Sequence, residues 1–528
     1  MHRLTAHFTI WLTLLAGPAL AEPPAEFEQR AEAVREQIGA PGMAIAIVEG
    51  GDPVFVKGFG TTAIKGGRPV DAETIFPIGS TGKAFTTAAL GLLVDRGLIG
   101  WDDKVIDHLP QFHMYDHWVT GEMTIRDLLV HRSGLGPGQG DLLFVPRSNL
   151  SREEVVHRLR FLKPKTSFRS TYAYDNVLYI VAGLLIEEVT GSTWETFVRE
   201  NLLQPLNMQE TTTEGARRFE TVNRALPHAR TSGPVRGMGP LTMLDERDEL
   251  SRSFAPAGGL ATSASDMASW LSIQLAHGAL PDGTQLLSKK THSEIWQPVI
   301  VQPISELPAE LAATQPDFQS YALGWEVRDY QGERIVWHDG GVLGFQSVVV
   351  LMPARNVGFS IEINSEDSAI LFGLMYELLD HYIGVPTQDW PAKYAAYAMQ
   401  RREVALAKLT DTAGRDTGVR ASVPLQNLVG RYRDDWYGDI RITREGRDLA
   451  IDFLSTPRMN GRLEHWQYDT YVTRFTDTKI EPAYVTFCVD AEGKVERVTM
   501  KPVSPLSDFS YDYQDLLFRP AEAGDAAD

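Results

Sequence analysis

The sequence predicts an α+β fold: an antiparallel sheet flanked by helices, with a helical subdomain, followed by a separate small all-β barrel. Three observations carry this. Apolar strand patterns occur near the start and again about residues 322–364, with helical patterns between them instead of alternating strand and helix. From residue 425 onward short alternating strands follow one another with no helical period. At 528 residues the chain is too long for one ordinary domain.

Taken in order, "MAIAIVEGGDPVFVKGFGTTAI" reads as two strands joined by a Gly-Gly-Asp-Pro turn. "STGKAFTTAALGLLVDRGLI" then spaces its apolar residues as a helix does, and Ser80 stands at the helix start behind Pro77 and Gly79. A long middle region mixes short helices and loops. "ALGWEVRDYQGERIVWHDGGVLGFQSVVVLMPARNVGFSIEIN" returns to strands, with turns at Gln331-Gly332 and Pro353-Ala354. "WPAKYAAYAMQRREVALAKL" is a polar helix and "TDTAGRDTGVRASVP" a linker. "GDIRITREGRDLAIDF", "YDTYVTRF", "AYVTFCVD" and "KVERVTMKPV" supply the barrel strands. The expected boundaries are 1–21 for a leader, 22–385 for the main domain, 386–424 for helix and linker, 425–519 for the barrel and 520–528 for a disordered tail.

Composition narrows the class. With 43% hydrophobic and 23% charged residues the chain reads as globular, and its net charge of −19 argues against nucleic acid or anionic lipid as a partner. The first residues, "MHRLTAHFTIWLTLLAGPALAEPP", combine Arg3, a short apolar run and Ala19-Leu20-Ala21, the pattern of a cleaved signal peptide. The expectation is a periplasmic or secreted protein with no membrane span after cleavage. Cys488 is the only cysteine, which excludes an internal disulfide, a zinc-thiolate cluster and a lipid-bearing cysteine at the cleavage site. His108, His113 and His117 match no standard zinc spacing, so no metal and no cofactor is expected.

"FPIGSTGKAFTTAALG" poses the chemical question. A phosphate-binding loop needs glycine where Pro77 stands and Ser or Thr where Ala84 stands, so that reading fails. Residues three apart on a helix share a face, with Cβ atoms about 5–6 Å apart, so Lys83 can reach the Ser80 hydroxyl. A serine at a helix N-terminus also sits among unpaired N–H groups that favour an oxyanion. Lys83 can serve as a base if burial depresses its pKa. Further on, "TYAYDNVLYIVAGLLIEEVTG" places Tyr174 and Asn176 before an apolar helix, and "VWHDGGVLGF" ends a strand with His338, Asp339, Gly340 and Gly341. Asp141 in "GQGDLLF" is a further cleft candidate.

Ser-x-x-Lys, Tyr-x-Asn and a Lys/His-x-Gly strand, in that order, resemble the serine β-lactamase/penicillin-binding protein superfamily. Within it the chain is most similar to the class C β-lactamase-related hydrolases: DD-peptidases, D-aminopeptidases and esterases. "TIRDLLVHRSGLG" and "YALGWEV" carry the same resemblance, which spans about residues 25–385. The C-terminal strands resemble the lipocalin-like barrel appended to some of these hydrolases. The resemblance implies an acyl-enzyme mechanism in which Ser80 attacks a carbonyl and Lys83 and Tyr174 share the proton transfers, with the assignment of the general base left open. Backbone N–H groups of Ser80 and Gly341 would form the oxyanion hole. Asn176 would hold the substrate amide and the lysine, and His338 would stand where β-lactamases carry lysine, with Gly340 and Gly341 beside it.

A histidine at that place is charged only below its pKa, which ranks a hydrolase of small esters or D-amino-acid peptides above a β-lactamase or DD-carboxypeptidase. The alternative from another class is an inactive binder of cell-wall peptides. The expected partner is a small-molecule or peptide substrate. The barrel is expected to lean over the active site and limit substrate size.

Overall fold

The computed structural model describes residues 23–245, 251–411, 414–416 and 418–521. The expected leader, 1–21, lies outside the described residues, as do parts of the linker and residues 522–528 of the expected tail.

Among the described residues, six helices of twelve or more residues and the sixteen strands of a large sheet and a barrel form the frame. The first helix, α1 (Phe27–Ile38), places Phe27, Ala31 and Val34 on one buried face, and Gly39 ends it in the left-handed conformation at φ 96°. Strands β1 (Gly42–Glu49) and β2 (Asp52–Gly60) form the expected hairpin. Helices α2 (Lys83–Asp95), α3 (Val177–Thr190) and α4 (Ala264–Leu275) fill the middle of the chain. Strands β3 (Ile300–Val301), β4 (Gln319–Tyr321), β5 (Glu326–Tyr330), β6 (Glu333–Val342), β7 (Phe345–Met352) and β8 (Val357–Ile363) follow. They join the hairpin in one antiparallel sheet of order β2-β1-β8-β7-β6-β5-β4-β3. The first strand thus pairs with the last, Ile45 opposite Ile361.

Both faces of that sheet are covered, which explains why "MAIAIV" is apolar without alternation. Met43, Ile45 and Ile47 pack with α1 and with α5 (Ala369–Ile383), whereas Ala44, Ala46 and Val48 join the larger core beneath α2, α3 and α4. The two alanines let α4 lie close, and Trp270 on α4 stacks on Phe85 of α2 with centroids 3.9 Å apart. Burying a side chain of this size stabilises by roughly 1.5–3 kcal/mol, so α2 is anchored along its length. The short turn that carries Ser80 runs directly into this anchored helix.

Helix α6 (Trp390–Thr410) packs on α5 and leads to the barrel, whose strands are β9 (Gly430–Asp434), β10 (Gly438–Glu445), β11 (Asp448–Phe453), β12 (Asn460–Gln467), β13 (Thr470–Phe475), β14 (Ala483–Val489), β15 (Val495–Pro502) and β16 (Leu517–Pro520). Each pairs with the next, and β16 closes on β9 through Tyr432 and Pro520. Phe453, Phe487 and Phe518 fill the interior. Arg158 of the first domain donates to the carbonyls of Trp436 and Tyr437 at 2.9 and 2.5 Å, and Asn149 N donates to Ser455 O at 3.1 Å, seating the barrel on that domain. Among the described residues no single helix is long and apolar enough to cross a membrane.

Candidate active site

Ser80 lies in a 3-10 turn, Gly79–Gly82, that runs directly into α2. Gly79 has φ +54°, and a Cβ there would lie 2.8 Å from Gly341 N; a Cβ on Gly340 would lie 2.0 Å from Ile78 O and 3.0 Å from Ser80 N. Strand β6 therefore passes so close over the serine turn that only glycine fits, which sets Gly341 against Gly79 and Gly340 against the Ser80 backbone.

One helical turn on, Lys83 is fully buried. Its Nζ is 3.0 Å from Ser80 Oγ, 2.7 Å from Asn176 Oδ1 and 2.9 Å from Ala257 O. Burial pushes its pKa down to about 7, although Asp141, Asp175 and Asp339 pull the other way. A free-base amine donates twice and accepts once. Asn176 Oδ1 and Ala257 O can only accept, so the lone pair of neutral Lys83 faces the Ser80 hydroxyl.

Tyr174 packs over the amine, with Nζ 4.8 Å from its ring centroid. Its hydroxyl is shut off from solvent without a hydrogen-bonded partner among the described residues, and Ser80 is the polar side chain that acts on it. Burial raises its pKa well above 10, so it keeps its proton. His131 packs against it at a tilt, ring centroids 4.2 Å apart, fully buried and with its pKa lowered by that burial. Asn176 is oriented from its other end, where Nδ2 donates to Asp141 Oδ2 at 2.8 Å. The carboxyl of Asp141 is pushed up to about 7 by burial.

His338 is 2% exposed. Its Nδ1 lies 2.5 Å from Asp339 O, which can only accept, so the proton sits on Nδ1; Nε2 then accepts from the Tyr321 hydroxyl at 2.8 Å. Burial drives its pKa down to about 3. The ring is neutral and both nitrogens are engaged, so it supplies no positive charge where a lysine would.

The barrel enters the site. Between β15 and β16, Phe509 meets the Tyr174 ring edge-on at 5.7 Å, Ser510 Oγ donates to Asp141 Oδ2 at 2.8 Å, and Asp512 accepts from Gly140 N at 2.7 Å and Leu142 N at 3.1 Å. Phe509, Ser510 and α6 help enclose a cavity of about 830 Å³ lined by Ser80, Tyr174, Asn176, His338 and Gly341. Lys83 and Gly340 lie in its floor, one hydrogen-bonded to Ser80 and the other packed on the Ser80 backbone.

Residues 27–374 match the family model described as Beta-lactamase. The chain belongs to the β-lactamase family. In this β-lactamase-family protein residues 415–520, the barrel, match a domain of unknown function, DUF3471. An unguisins hydrolase of Aspergillus campestris is 31% identical over 69% of this chain and 66% of its own length, so the chain spans just under two thirds of that relative. Penicillin-binding protein 4 of Amycolatopsis lactamdurans is 27% identical over 75% of the chain and 98% of its own length. Among solved structures, the octameric penicillin-binding protein homologue from Pyrococcus abyssi superposes with a TM-score of 0.58 at 20% identity, covering 93% of this chain and 99% of that one. That likeness establishes the fold.

The β-lactamase-family site gathers Ser80, Lys83, Tyr174, Asn176, His338, Gly340 and Gly341 around one cavity. Sequence reasoning missed His131, Tyr321, Phe509, Ser510 and Asp512. His131 and Tyr321 stand inside "TIRDLLVHRSGLG" and "YALGWEV", segments singled out only for their general similarity. The barrel residues gave no signal, because nothing in a loop between strands says which surface it will meet.

Proposed function

We propose that the protein is an exported serine hydrolase that forms an acyl-Ser80 intermediate with small esters or D-amino-acid amides and peptides. The observation that carries this is the buried Lys83 amine 3.0 Å from Ser80 Oγ, with its other two hydrogen bonds fixed on Asn176 and Ala257. In this reading neutral Lys83 takes the Ser80 proton as Oγ attacks the carbonyl carbon. The oxyanion rests on the N–H groups of Ser80 and Gly341. Tyr174 gives its proton to the leaving amine or alkoxide, and the proton held on Lys83 then restores the phenol. Water cleaves the ester by the reverse sequence.

Burial supports this division of roles: it lowers the pKa of Lys83 to about 7, which suits a base near neutral pH, and raises that of Tyr174, which suits an acid. The neutral His338 favours this reading over a β-lactamase or carboxypeptidase, whose substrates carry a carboxylate that seeks a cation. Export rests on the leader pattern at 1–21. A fluorophosphonate probe labels wild-type protein at Ser80 and fails on Ser80→Ala; a panel of p-nitrophenyl esters, D-amino-acid amides and nitrocefin then ranks the substrates. Wild-type protein that neither labels nor hydrolyses any of the panel would leave the binder reading in its place.

A further inference from the structure

One end of the catalytic cavity has no use in the acyl-transfer scheme. Helix α6 presents Ala398, Arg401 and Arg402 to it from one face, at i, i+3 and i+4. The barrel adds Arg458 from the β11–β12 loop and Lys479 from the β13–β14 loop. Arg236 of the first domain joins them, donating to Lys479 O at 3.1 Å. Glu366 holds Arg236 through two bonds of 2.8 and 2.7 Å and accepts from Gly344 N at 3.0 Å, in the turn between β6 and β7. These cations therefore stand beyond Gly341, past the end of β6, whereas Asp339 and Glu326 lie on the other side of it.

The charge here is not cancelled. Arg236 is matched by Glu366, and Lys479 and Arg458 share Asp477 at 3.1 and 3.6 Å. Arg401 and Arg402 form no ion pair among the described residues, in a chain with 69 acidic residues and 50 basic ones. Arg147 adds a further cation to this wall, and Glu481 and Asp508 add carboxyls, so six cations face four acids. Those two acids are engaged in part: Glu481 accepts from Asp508 N at 3.3 Å, and Asp508 from Ser510 N at 2.9 Å. Arg402 is also seated. Gly237 has φ +90°, and a Cβ there would lie 2.5 Å from Arg402 Nε, so only glycine leaves room for the guanidinium. A partly enclosed guanidinium without an acidic partner is a fork that fits a carboxylate or a phosphate.

We propose that Arg401 and Arg402, backed by Arg236, Arg458 and Lys479, form an anion subsite, so that the preferred substrate carries a carboxylate or phosphate on a part remote from its scissile carbonyl. This rests on the acyl-Ser80 reading above and narrows its substrate class. The subsite stands past the β6–β7 turn, not at His338, so it holds an acid at a distance from the reacting bond. Helix α6 and the barrel lie outside residues 27–374, so the appended segments give the site a selectivity that the β-lactamase-family domain by itself does not carry.

The test uses the full-length protein at low salt. The p-nitrophenyl half-esters of adipic, pimelic and suberic acids are compared with their methyl diesters, and p-(carboxymethyl)phenyl acetate with its methyl ester, so the acid rides on the acyl chain or on the leaving group. In at least one series the free acid should exceed its ester in kcat/KM by about tenfold or more, and the double variant Arg401→Gln, Arg402→Gln should cut that ratio at least about fivefold. Ratios at or below unity in both series, or a ratio unmoved in the double variant, would overturn the subsite. Adipate and phenyl phosphate are then set against hexanediol as inhibitors of the wild type, which also serves should the double variant fail to fold. The stronger anion names the group, and inhibition by neither beyond the diol overturns the proposal. If no ester turns over and Ser80 resists labelling, the hydrolase reading fails by itself. One of the two anions must even then raise the melting temperature more than the diol does, and the reverse order sinks the subsite too.

Discussion

Ser510, on the barrel, donates a 2.8 Å hydrogen bond to Asp141 in the catalytic domain. Asp141 in turn holds Asn176, and Asn176 holds Lys83. The barrel is therefore three hydrogen bonds from the Lys83 amine, a chain that orients as well as encloses. Removing the Ser510 hydroxyl frees Asp141 to turn from Asn176. Ser510→Ala should lower kcat about three- to tenfold with KM little changed, the effect of one hydrogen bond. A parallel rise in KM would mean that the serine acts on substrate binding.

Phe509 covers the edge of Tyr174 and narrows the mouth of the cavity. Trimming it to alanine leaves the amine, the serine and Asn176 in place and opens space for the acyl chain. In Phe509→Ala, kcat/KM for p-nitrophenyl octanoate relative to the acetate should rise on the order of tenfold. An unchanged ratio would show that the barrel does not set the size limit.

The acid–base roles fix a pH profile. In the proposed scheme Lys83 works as the free base, and its pKa is lowered to about 7, so kcat/KM should rise with pH through about 7. Tyr174 must keep its proton, and its pKa lies well above 10, so it adds no falling limb at neutral pH. Lys83→Met should cost about 10²- to 10⁴-fold in kcat and remove the limb. A limb that survives in the variant belongs to another group.

Gly340 has no room for a side chain, since an added Cβ would meet Ile78 O at 2.0 Å. Gly340→Ala must lift β6 off the serine turn and widen the gap between the N–H groups of Ser80 and Gly341. The expected loss is about 10²- to 10³-fold in kcat, as for a lost oxyanion donor. Gly341, with open space around an added Cβ, is the control: Gly341→Ala keeps the β6 approach, and circular dichroism and melting should match wild type.

Glu362 on β8 is buried, its carboxyl oxygens have no hydrogen-bond partner at bonding distance among the described residues, and burial raises its pKa to about 8 against a weaker opposing effect of Ser360. The folded state keeps a proton that the unfolded chain releases near the ordinary carboxyl pKa. Its stabilising effect is thus complete at low pH and is lost as pH rises through about 8. Melting temperature should fall between pH 6 and 9, and Glu362→Gln should flatten that fall and gain on the order of 1–3 kcal/mol at pH 9. Equal slopes would place the titration elsewhere.

What was legible beforehand follows from how local each feature is. The hairpin, α2, the strand carrying His338 and the barrel strands each write their own period into the chain. Ser80 and Lys83 lie one helical turn apart, so their meeting needs only local geometry. The closing of β1 onto β8 was legible only as an α+β tendency, because strand pairing across some three hundred residues leaves no mark in either strand.

The sequence by itself determined the Ser-x-x-Lys turn, the glycines that let β6 approach it and the separate all-β module. Tertiary structure alone decided the charges: neighbours distant in sequence strip water from Lys83, Tyr174 and His338, which lowers the pKa of the lysine and the histidine and raises that of the tyrosine. It also decided that a loop of the barrel completes the site, since which surfaces meet depends on the packing of whole domains.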